Sequence, residues 1–501
     1  MTDLASRPTM TEPPVAPPLD GDGSAVAMAG PRTGLTGSLP SPVALGPDAA
    51  AAQPLAEPEP GRLLVSDVAV ALIVFLALVV GTWARHGGVV ALSEGGVARW
   101  TSLSQLTGLL ATASGLVGLV LVARPRVLER RYGLDRLFVW HKWLGGTLAV
   151  LVGAHVVASV VAWSDGVGWW PALRELTGGQ PYMAGATVGA LLLATVALTS
   201  MKPARRRLSY ETWYLIHLTA YLALALSFAH QVVLGGDFAD DPVAWWFWVG
   251  AHLGVLVLVV AGRWGRLLVA YLRPLRIAEV RTVAPGTVEV RLAGRRLRSM
   301  RGDAGQFAVL RPLVPRLWWQ GHPYSLSAPP STHGLVFTIK DRGDASAALC
   351  ELPAGTRVAV EGPYGALTPA ALDPDRSLLL VVGGIGVAPA RALLARLPRS
   401  GLGRAPVLVY RARHPRDLVH VDELRALVEG RGGRLLTILG RRELLPVREP
   451  FSAESLRHVV PDVGDRQAFV CGPEDLCAAA RRGLRRAGVP AARIHYDRTW
   501  W

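Results

Sequence analysis

The chain has 501 residues, 50% of them hydrophobic and only 18% charged, which is too long for one ordinary domain and too apolar for a disordered one. Its formal net charge of +15 raises nucleic acid as a partner, but the arginines flank apolar runs or scatter through the C-terminal half without forming a basic stripe, so that class is excluded. Three cysteines, Cys350, Cys471 and Cys477, supply neither a disulfide framework nor the four thiolates of an iron–sulfur cluster, and they suit a reducing compartment.

Residues 1–60 are rich in Pro, Ala and Gly, with too few large apolar side chains to offset the entropy of ordering, and read as a disordered tail. The tail lacks the charged segment, apolar core and cleavage site of a secretory signal, so the first membrane span is expected to act as the anchor. Six stretches then approach the roughly 20 apolar residues that a helix needs to cross a bilayer. They are 64–83, 103–122, 138–161, 184–201, 212–233 and 244–260, within a membrane domain taken as 61–266. The loop after the second carries Arg124, Arg126, Arg130, Arg131 and Arg136, and the loop after the fourth carries Lys202, Arg205, Arg206 and Arg207. The positive-inside rule makes both cytoplasmic, which places both termini and everything after the sixth span inside the cell membrane. The outward loop with Asp237, Asp240 and Asp241 reads either as a solvated turn or as an acidic patch attracting cations. Trp140, Trp143, Trp169, Trp170, Trp245 and Trp246 fit an aromatic belt.

Ionisable side chains inside a bilayer are costly and mark functional sites. The third stretch holds His141 and His155, and the fifth holds His217 and His230. Both helices start on the same side, so His141 faces His217 at inner depth and His155 faces His230 at outer depth. Two imidazoles from facing helices make a six-coordinate haem centre suited to electron transfer, and separations of fourteen and thirteen residues, about 20 Å of helix, stack two such centres. Thirteen residues of ideal helix leave the second histidine about 140° round from the first, so the fifth helix is expected to kink or overwind. His86 and His252 have no partner of matching depth and read as packing residues.

Residues 274–370 change to short β-branched strands bounded by Gly and Pro, the texture of a small antiparallel barrel. The run His322-Pro323-Tyr324-Ser325-Leu326-Ser327 offers an aromatic ring and hydroxyls to an isoalloxazine. Lys340, Gly343 and Ser346 lie in a turn leading into an apolar helix, where backbone amides and a serine would hold a pyrophosphate. Within 375–501 a wholly apolar strand, 377–382, runs into Gly383-Gly384-Ile385-Gly386-Val387-Ala388-Pro389, a glycine loop that brings a diphosphate to a helix N-terminus, with Pro389 in the first turn. The next strand ends in Tyr410-Arg411-Ala412-Arg413, where an acid would favour NADH; Arg411 and Arg413 favour the 2′-phosphate of NADPH, and both nucleotides stay open.

Paired membrane histidines followed by these motifs resemble the ferric reductase and NADPH oxidase superfamily: a six-helix transmembrane haem bundle, an antiparallel β-barrel FAD domain and an α/β Rossmann-like nucleotide domain of ferredoxin-NADP reductase type. The resemblance implies two b-type haems ligated by His141, His155, His217 and His230. It implies FAD held by the stretch from His322 to Ser325 together with Gly343 and Ser346, and a nucleotide held by Gly383, Gly384, Gly386 and Pro389. Cys471-Gly472-Pro473 matches the segment beside the nicotinamide, which makes Cys471 and Ser325 the candidate catalytic side chains, and Trp501 resembles the terminal aromatic that covers the flavin. The implied activity is electron transfer from NAD(P)H through FAD and two haems to a ferric chelate, a quinone or a redox partner. A superoxide-producing oxidase, and a haem-free nucleotide sensor or transporter, are the alternatives.

Overall fold

The structure is a computed structural model describing residues 53–56, 65–239, 241–398, 405–445, 447 and 449–498. Six of its helices are long and apolar enough to cross a membrane: α1 (Val65–Arg85), α2 (Gly96–Ala123), α3 (Leu134–Ser164), α4 (Met183–Ser200), α5 (Tyr210–Leu234) and α6 (Pro242–Val259). Val70, Ile73, Val150, Leu191 and Val257 stay exposed on them, as lipid-facing side chains do. Helix α2 stops at Arg124, left-handed at φ 54°, with Pro125 blocking continuation. Ser209 caps α5 by accepting from Thr212 N at 3.1 Å. Asp241 caps α6, its Oδ1 accepting from Val243 N at 3.0 Å and Ala244 N at 3.1 Å, with Pro242 in the first turn. Asp241 is therefore a buried helix cap rather than part of a cation-attracting loop.

The sixth helix continues past its apolar run: a wide turn, Val260–Gly265, carries it into Arg266–Leu272, and Arg263 reaches Glu361 of the domain that follows. The fifth is one continuous α-helix from Tyr210 to Leu234. Helix α3 packs along α2 and α5 along α4, with no comparable packing between α3 and α5, so a slot separates the two histidine-bearing helices.

Strands β1 (Leu275–Ala284), β2 (Thr287–Ala293), β3 (Phe307–Pro312), β4 (His322–Ser325), β5 (Leu335–Lys340) and β6 (Arg357–Tyr364) form an antiparallel sheet in the order β4-β3-β6-β1-β2-β5. It curls round Leu275, Val290, Leu310, Phe337 and Val360 without closing: Leu326, just past the end of β4, makes a single bridge to Phe337 of β5, and no ladder joins the two edges. The expected barrel is thus an open one. The disordered tail expected over 1–60 also needs amending at its end. Pro54 bridges Ser331, Ala56 bridges Arg301, and Leu55, 4% exposed, enters the core of this sheet, so one apolar side chain with backbone partners on both sides suffices to order residues 53–56. The rest of that tail lies outside the described residues.

The last domain is a parallel sheet of β7 (Leu378–Gly383), β8 (Val407–Ala412), β9 (Arg434–Leu439), β10 (Gln467–Gly472) and β11 (Ile494–Arg498), in the order β11-β10-β7-β8-β9. β7 and β10 are buried throughout, which is why β7 reads as an unbroken apolar run. Helices α7 (Val387–Arg396), α8 (Val421–Glu429) and α9 (Glu474–Arg486) complete the fold. Chain order reverses between β7 and β10, the topological switch point where such sheets bind ligands.

The antiparallel sheet is bolted to the helices by buried charge. Arg263 donates from Nη1 to Glu361 Oε2 at 3.2 Å, and Arg311 donates to the other carboxylate oxygen. Glu129, in the short helix Arg126–Tyr132 after α2, accepts from Gly365 N at 2.8 Å. Arg124 lies 5.4 Å from the centroids of both Phe138 and Tyr364. The basic loop after the second span is thus on the same side as the C-terminal domains. Replacing Glu361 with alanine would leave two buried guanidiniums unpaired, at a cost of about 3–5 kcal/mol. The variant should melt earlier and be cut more readily by trypsin near Arg273; an unchanged melting midpoint and digestion pattern would mean that this carboxylate does not bind the domains together.

Candidate functional site

The sites are built on the two slots, one between helices and one between domains. In the first, the rings of His141 and His217 lie 5.9 Å apart between centroids and those of His155 and His230 lie 6.3 Å apart. Two imidazoles sharing one metal, with metal–nitrogen bonds near 2.0 Å and ring radii of about 1.1 Å, need roughly 6 Å, so both pairs fit an iron between them. Their orientation comes from α2. Nδ1 of His141 bonds Gly118 O at 3.2 Å, and Nδ1 of His155 bonds Ser104 O at 2.8 Å, with Ser104 Oγ at 3.2 Å. A proton held on Nδ1 leaves Nε2 free as the ligand. The antiparallel α2 and α3 match residue for residue, fourteen positions separating the two acceptors as fourteen separate the two histidines. Close approach requires small residues on α2: a Cβ on Gly108 would lie 2.9 Å from His155 Nδ1. On the other side Trp213 stacks on His217 at 5.0 Å, whose own Nδ1 is buried without a partner. His252 packs against Trp248 and Phe228, and His86 bonds Thr82 O at 2.7 Å, so neither joins a pair.

The second slot lies where the antiparallel and parallel sheets meet. Ser325 on β4 donates from Oγ to Asp497 Oδ2 on β11 at 3.2 Å, and Asp497 sits beside Cys471 in the β10–β11 register. Asp497 was not foreseen, being a lone acid near the chain end with no motif round it. Cys471 is fully buried; burial first, then the Asp497 charge, pushes its thiol well above the usual range, which keeps it protonated at pH 7. Gly386 lets the glycine loop touch this strand, since a Cβ there would lie 2.4 Å from Cys471 O. Gly472 and Pro473 follow directly, so the segment meant for the nicotinamide faces the loop meant for its diphosphate. Tyr324 is half-buried against the sheet core, and burial raises its hydroxyl pKa. His322 Nε2 lies 3.3 Å from Gln320 Oε1. Pro323 pairs with Val309, and Ser327 is buried with its hydroxyl unpartnered. Ser346 Oγ accepts from Arg342 N at 2.8 Å and donates to Gly343 O at 2.9 Å, fixing the turn beside Lys340. Pro389 is buried within the first turn of α7.

A cavity of about 1270 Å³ opens from this point along the carboxyl ends of β7, β8 and β9. Lys340, Arg342, Gly383, Gly384, Arg413, Arg441, Arg442 and Arg482 line it. Arg411 is there too, but its guanidinium is committed to the carbonyls of Ala412, Ile438 and Gly440, so it braces the loops after β8 and β9 instead of meeting a ligand. Arg413, Arg441 and Arg442 are the exposed cations of that rim. Trp501, expected over the flavin, lies outside the described residues.

The two sheets are held in register by Lys340 on Asp417 at 3.2 Å and by a buried cluster at Arg391. Arg391 donates to Glu289 Oε2 at 2.7 Å, Ser327 O at 3.1 Å and Glu423 Oε2 at 2.9 Å. His420, at the start of α8, bonds Thr338 Oγ1 at 3.1 Å through Nε2, 3.6 Å from Glu289.

Comparison with known proteins bears on both slots. Residues 107–228 match the family described as a ferric reductase like transmembrane component, and residues 273–368 match an FAD-binding domain. The C-terminal part is 33% identical over 202 residues to the ferredoxin reductase component of 3-ketosteroid-9-alpha-monooxygenase from Mycolicibacterium smegmatis, over 40% of this chain and 56% of that one. It is 28% identical to ferredoxin–NADP reductase B of Sorangium cellulosum, over 44% of this chain and 96% of that one. A solved ferredoxin reductase of carbazole 1,9a-dioxygenase aligns over 46% of this chain and 69% of the other, at 21% identity and a TM-score of 0.37. The chain spans about half the length of the monooxygenase reductase components it matches.

The Arg391 cluster predicts a pH response. Burial first, and the Arg391 charge second, push the His420 pKa down to about 4 from an ordinary 6.5. Above pH 6.5 the ring is neutral in folded and unfolded chains alike. As pH falls toward 4 the unfolded chain takes the proton first, so stability declines across that window. Glu289, its pKa lowered by Arg391 and His420 against the effect of burial, adds a further loss only below its ordinary 4.5. The melting midpoint of wild type should fall between pH 6.5 and 4, and His420→Gln should flatten that slope; parallel slopes would remove His420 as the source.

Proposed function

From the premise that this chain is a multi-pass membrane oxidoreductase of the ferric reductase and NADPH oxidase superfamily with an FAD-binding, nicotinamide-dependent reductase part, we propose that its electrons cross the membrane through two b-type haems. His141 and His217 would hold the inner one, His155 and His230 the outer one. The observation that carries this reading is the pair of imidazole separations, 5.9 and 6.3 Å, repeated at two depths in a slot that the helices leave open. FAD, when bound, would supply two-electron chemistry and haem iron one-electron chemistry, which together join a nicotinamide donor to a one-electron acceptor. The chain's own residues supply orientation and exclusion of water. Ser325, tied to Asp497, fixes a hydroxyl at the flavin site, and neutral Cys471 fills the space behind the nicotinamide without competing as a nucleophile. The amides following Gly383 receive the diphosphate at the start of α7.

The reductase part faces the cytoplasm of the cell membrane in this reading, on the side of the arginine-rich loops, and electrons leave at or beyond the outer face to a ferric chelate, a quinone or a redox partner. NADPH is preferred over NADH, because Arg413, Arg441 and Arg442 stand exposed on the rim where a 2′-phosphate would lie. The last residues of β8 include no acid, and Asp417 in the loop beyond it is held by Lys340.

His155→Ala or His230→Ala should each halve the haem per chain while NADPH still reduces the flavin. Gly108→Leu, which drives a side chain against the His155 ring, should do the same without touching a ligand. Full haem content in all three would refute the outer pair. Arg441→Glu combined with Arg442→Glu should raise KM for NADPH roughly tenfold or more and leave that for NADH nearly unchanged; equal effects on both nucleotides would place the 2′-phosphate elsewhere.

A further inference from the structure

The mouth of the histidine slot nearest the flavin sheet holds a cation whose donors are not all spent. Helix α2 lines this slot: a Cβ at Gly115 would lie 3.3 Å from Leu224 on α5 and 3.8 Å from Leu148 on α3, and Gly118 O orients His141. Arg124 follows directly on α2, in the left-handed conformation, φ 54°, that usually falls to glycine at a helix end. An arginine in glycine's usual place is a backbone outlier, which points to a use for its side chain. Its Nε and Nη1 are shut off from solvent and have no hydrogen-bond partner among the described residues. The guanidinium lies 5.4 Å from the ring centroid of Phe138, one turn before His141 on α3, and 5.4 Å from that of Tyr364 on β6. Tyr364 also meets it as a hydrogen-bonding neighbour, and its charge reaches Tyr221, one turn beyond His217 on α5. One side chain therefore bears on both histidine helices and on the flavin sheet.

Neither neighbouring carboxylate answers it. Glu361 is held by Arg263 and Arg311, and Glu129 accepts from Gly365 N, so both are engaged in the joint itself. Buried donors of a charged group are costly without an acceptor, and a guanidinium does not escape by losing its proton. An acceptor for donors sealed from water has to come by way of the slot, and a b-type haem carries one, since its two carboxylates are the anionic groups of an otherwise apolar ring. We propose, resting on the two-haem reading above, that Arg124 binds a carboxylate of the inner haem while it stays packed on Tyr364, so that loading of that haem and docking of the flavin sheet stabilise each other. By linkage the coupling runs both ways: the haem binds more tightly when β6 is in place, and β6 is held more tightly when the haem is bound. The joint across which the two parts meet is then firm only in a chain that can carry the electron onward.

The test uses the full chain in detergent, prepared with haem and, from cells starved of haem precursors, without it, with haem and FAD counted in each. Hydrogen exchange is then followed at residues 361–365. Wild type should exchange there roughly tenfold or more slowly when haem is bound, because local opening must then break a further contact. Arg124→Gln should lose that protection while keeping its FAD. Its inner haem should either fall out of the count or show a more negative midpoint potential, since a nearby cation favours the reduced, less positive iron. Arg124→Lys, which keeps the charge, should restore haem and potential toward wild type. Equal exchange in haem-loaded and haem-free wild type would overturn the coupling, as would unchanged haem content, exchange and potentials in Arg124→Gln. Protection of the haem-free chain by inorganic phosphate to the same degree would mark Arg124 as a site for a soluble anion and overturn it too. A wild type that takes up no haem at all would contradict the two-haem path, and this proposal with it, and the haem count tells that outcome from the others.

Discussion

The proposed haem path asks that four imidazoles stand in two facing pairs, each about 6 Å between ring centres, inside apolar helices where little water could satisfy whatever they leave unpaired. Much of the membrane part follows from that demand. Helix α3 has to be held by its own neighbour rather than by α5, and it is: α2 runs antiparallel to it, offers Gly118 O and Ser104 O as acceptors, and carries glycine where His155 comes closest. Helix α5 is held by α4 in the same way, Gly189 packing against the Ala223 carbonyl. The slot between the two histidine helices stays open because each is fully supported from behind.

The same economy governs the reductase part. Its cleft is made by elements from different ends of the sequence that meet at β7, β10 and β11, and buried ion clusters join the domains beside apolar contacts such as Val283 and Leu367 on the nucleotide-domain core. Glu361 ties two arginines from different domains, and Arg391 gathers Glu289, Glu423 and the Ser327 carbonyl. Buried charge of this kind contributes modest net stability, yet it fixes geometry, since any slip leaves a desolvated cation alone. For the proposed passage of electrons between cofactors in different domains, fixed separation matters more than added stability.

The six spans and the histidine pairs were legible because they depend on composition and spacing, quantities that sequence carries directly. The glycine loop after β7 was legible for the same reason. What could not be read were contacts made by backbone. The carbonyls of Ser104 and Gly118 orient the histidines, and only the small residues at 104, 108, 115 and 118 on one face of α2 hinted at a helix approached closely from that side. Arg411 was misjudged because its side chain turns back to three carbonyls, whereas Arg441 and Arg442, thirty residues on, reach the same rim through a parallel strand. Asp497 meets Cys471 through strand register and Ser325 through a side-chain bond between the two sheets. Leu55 lay in a stretch whose composition argued against order, and a single apolar side chain with a waiting hole in the flavin sheet outweighed that.

The two-haem path is tested most directly by an anaerobic absorption spectrum of the purified full chain before and after NADPH, with haem and flavin counted per chain. It predicts two b-type, six-coordinate haems and one FAD, all reduced by the nucleotide. A flavin that reduces in a chain without haem, or with a single haem, would contradict the two-haem path and leave a membrane-tethered flavin reductase in its place.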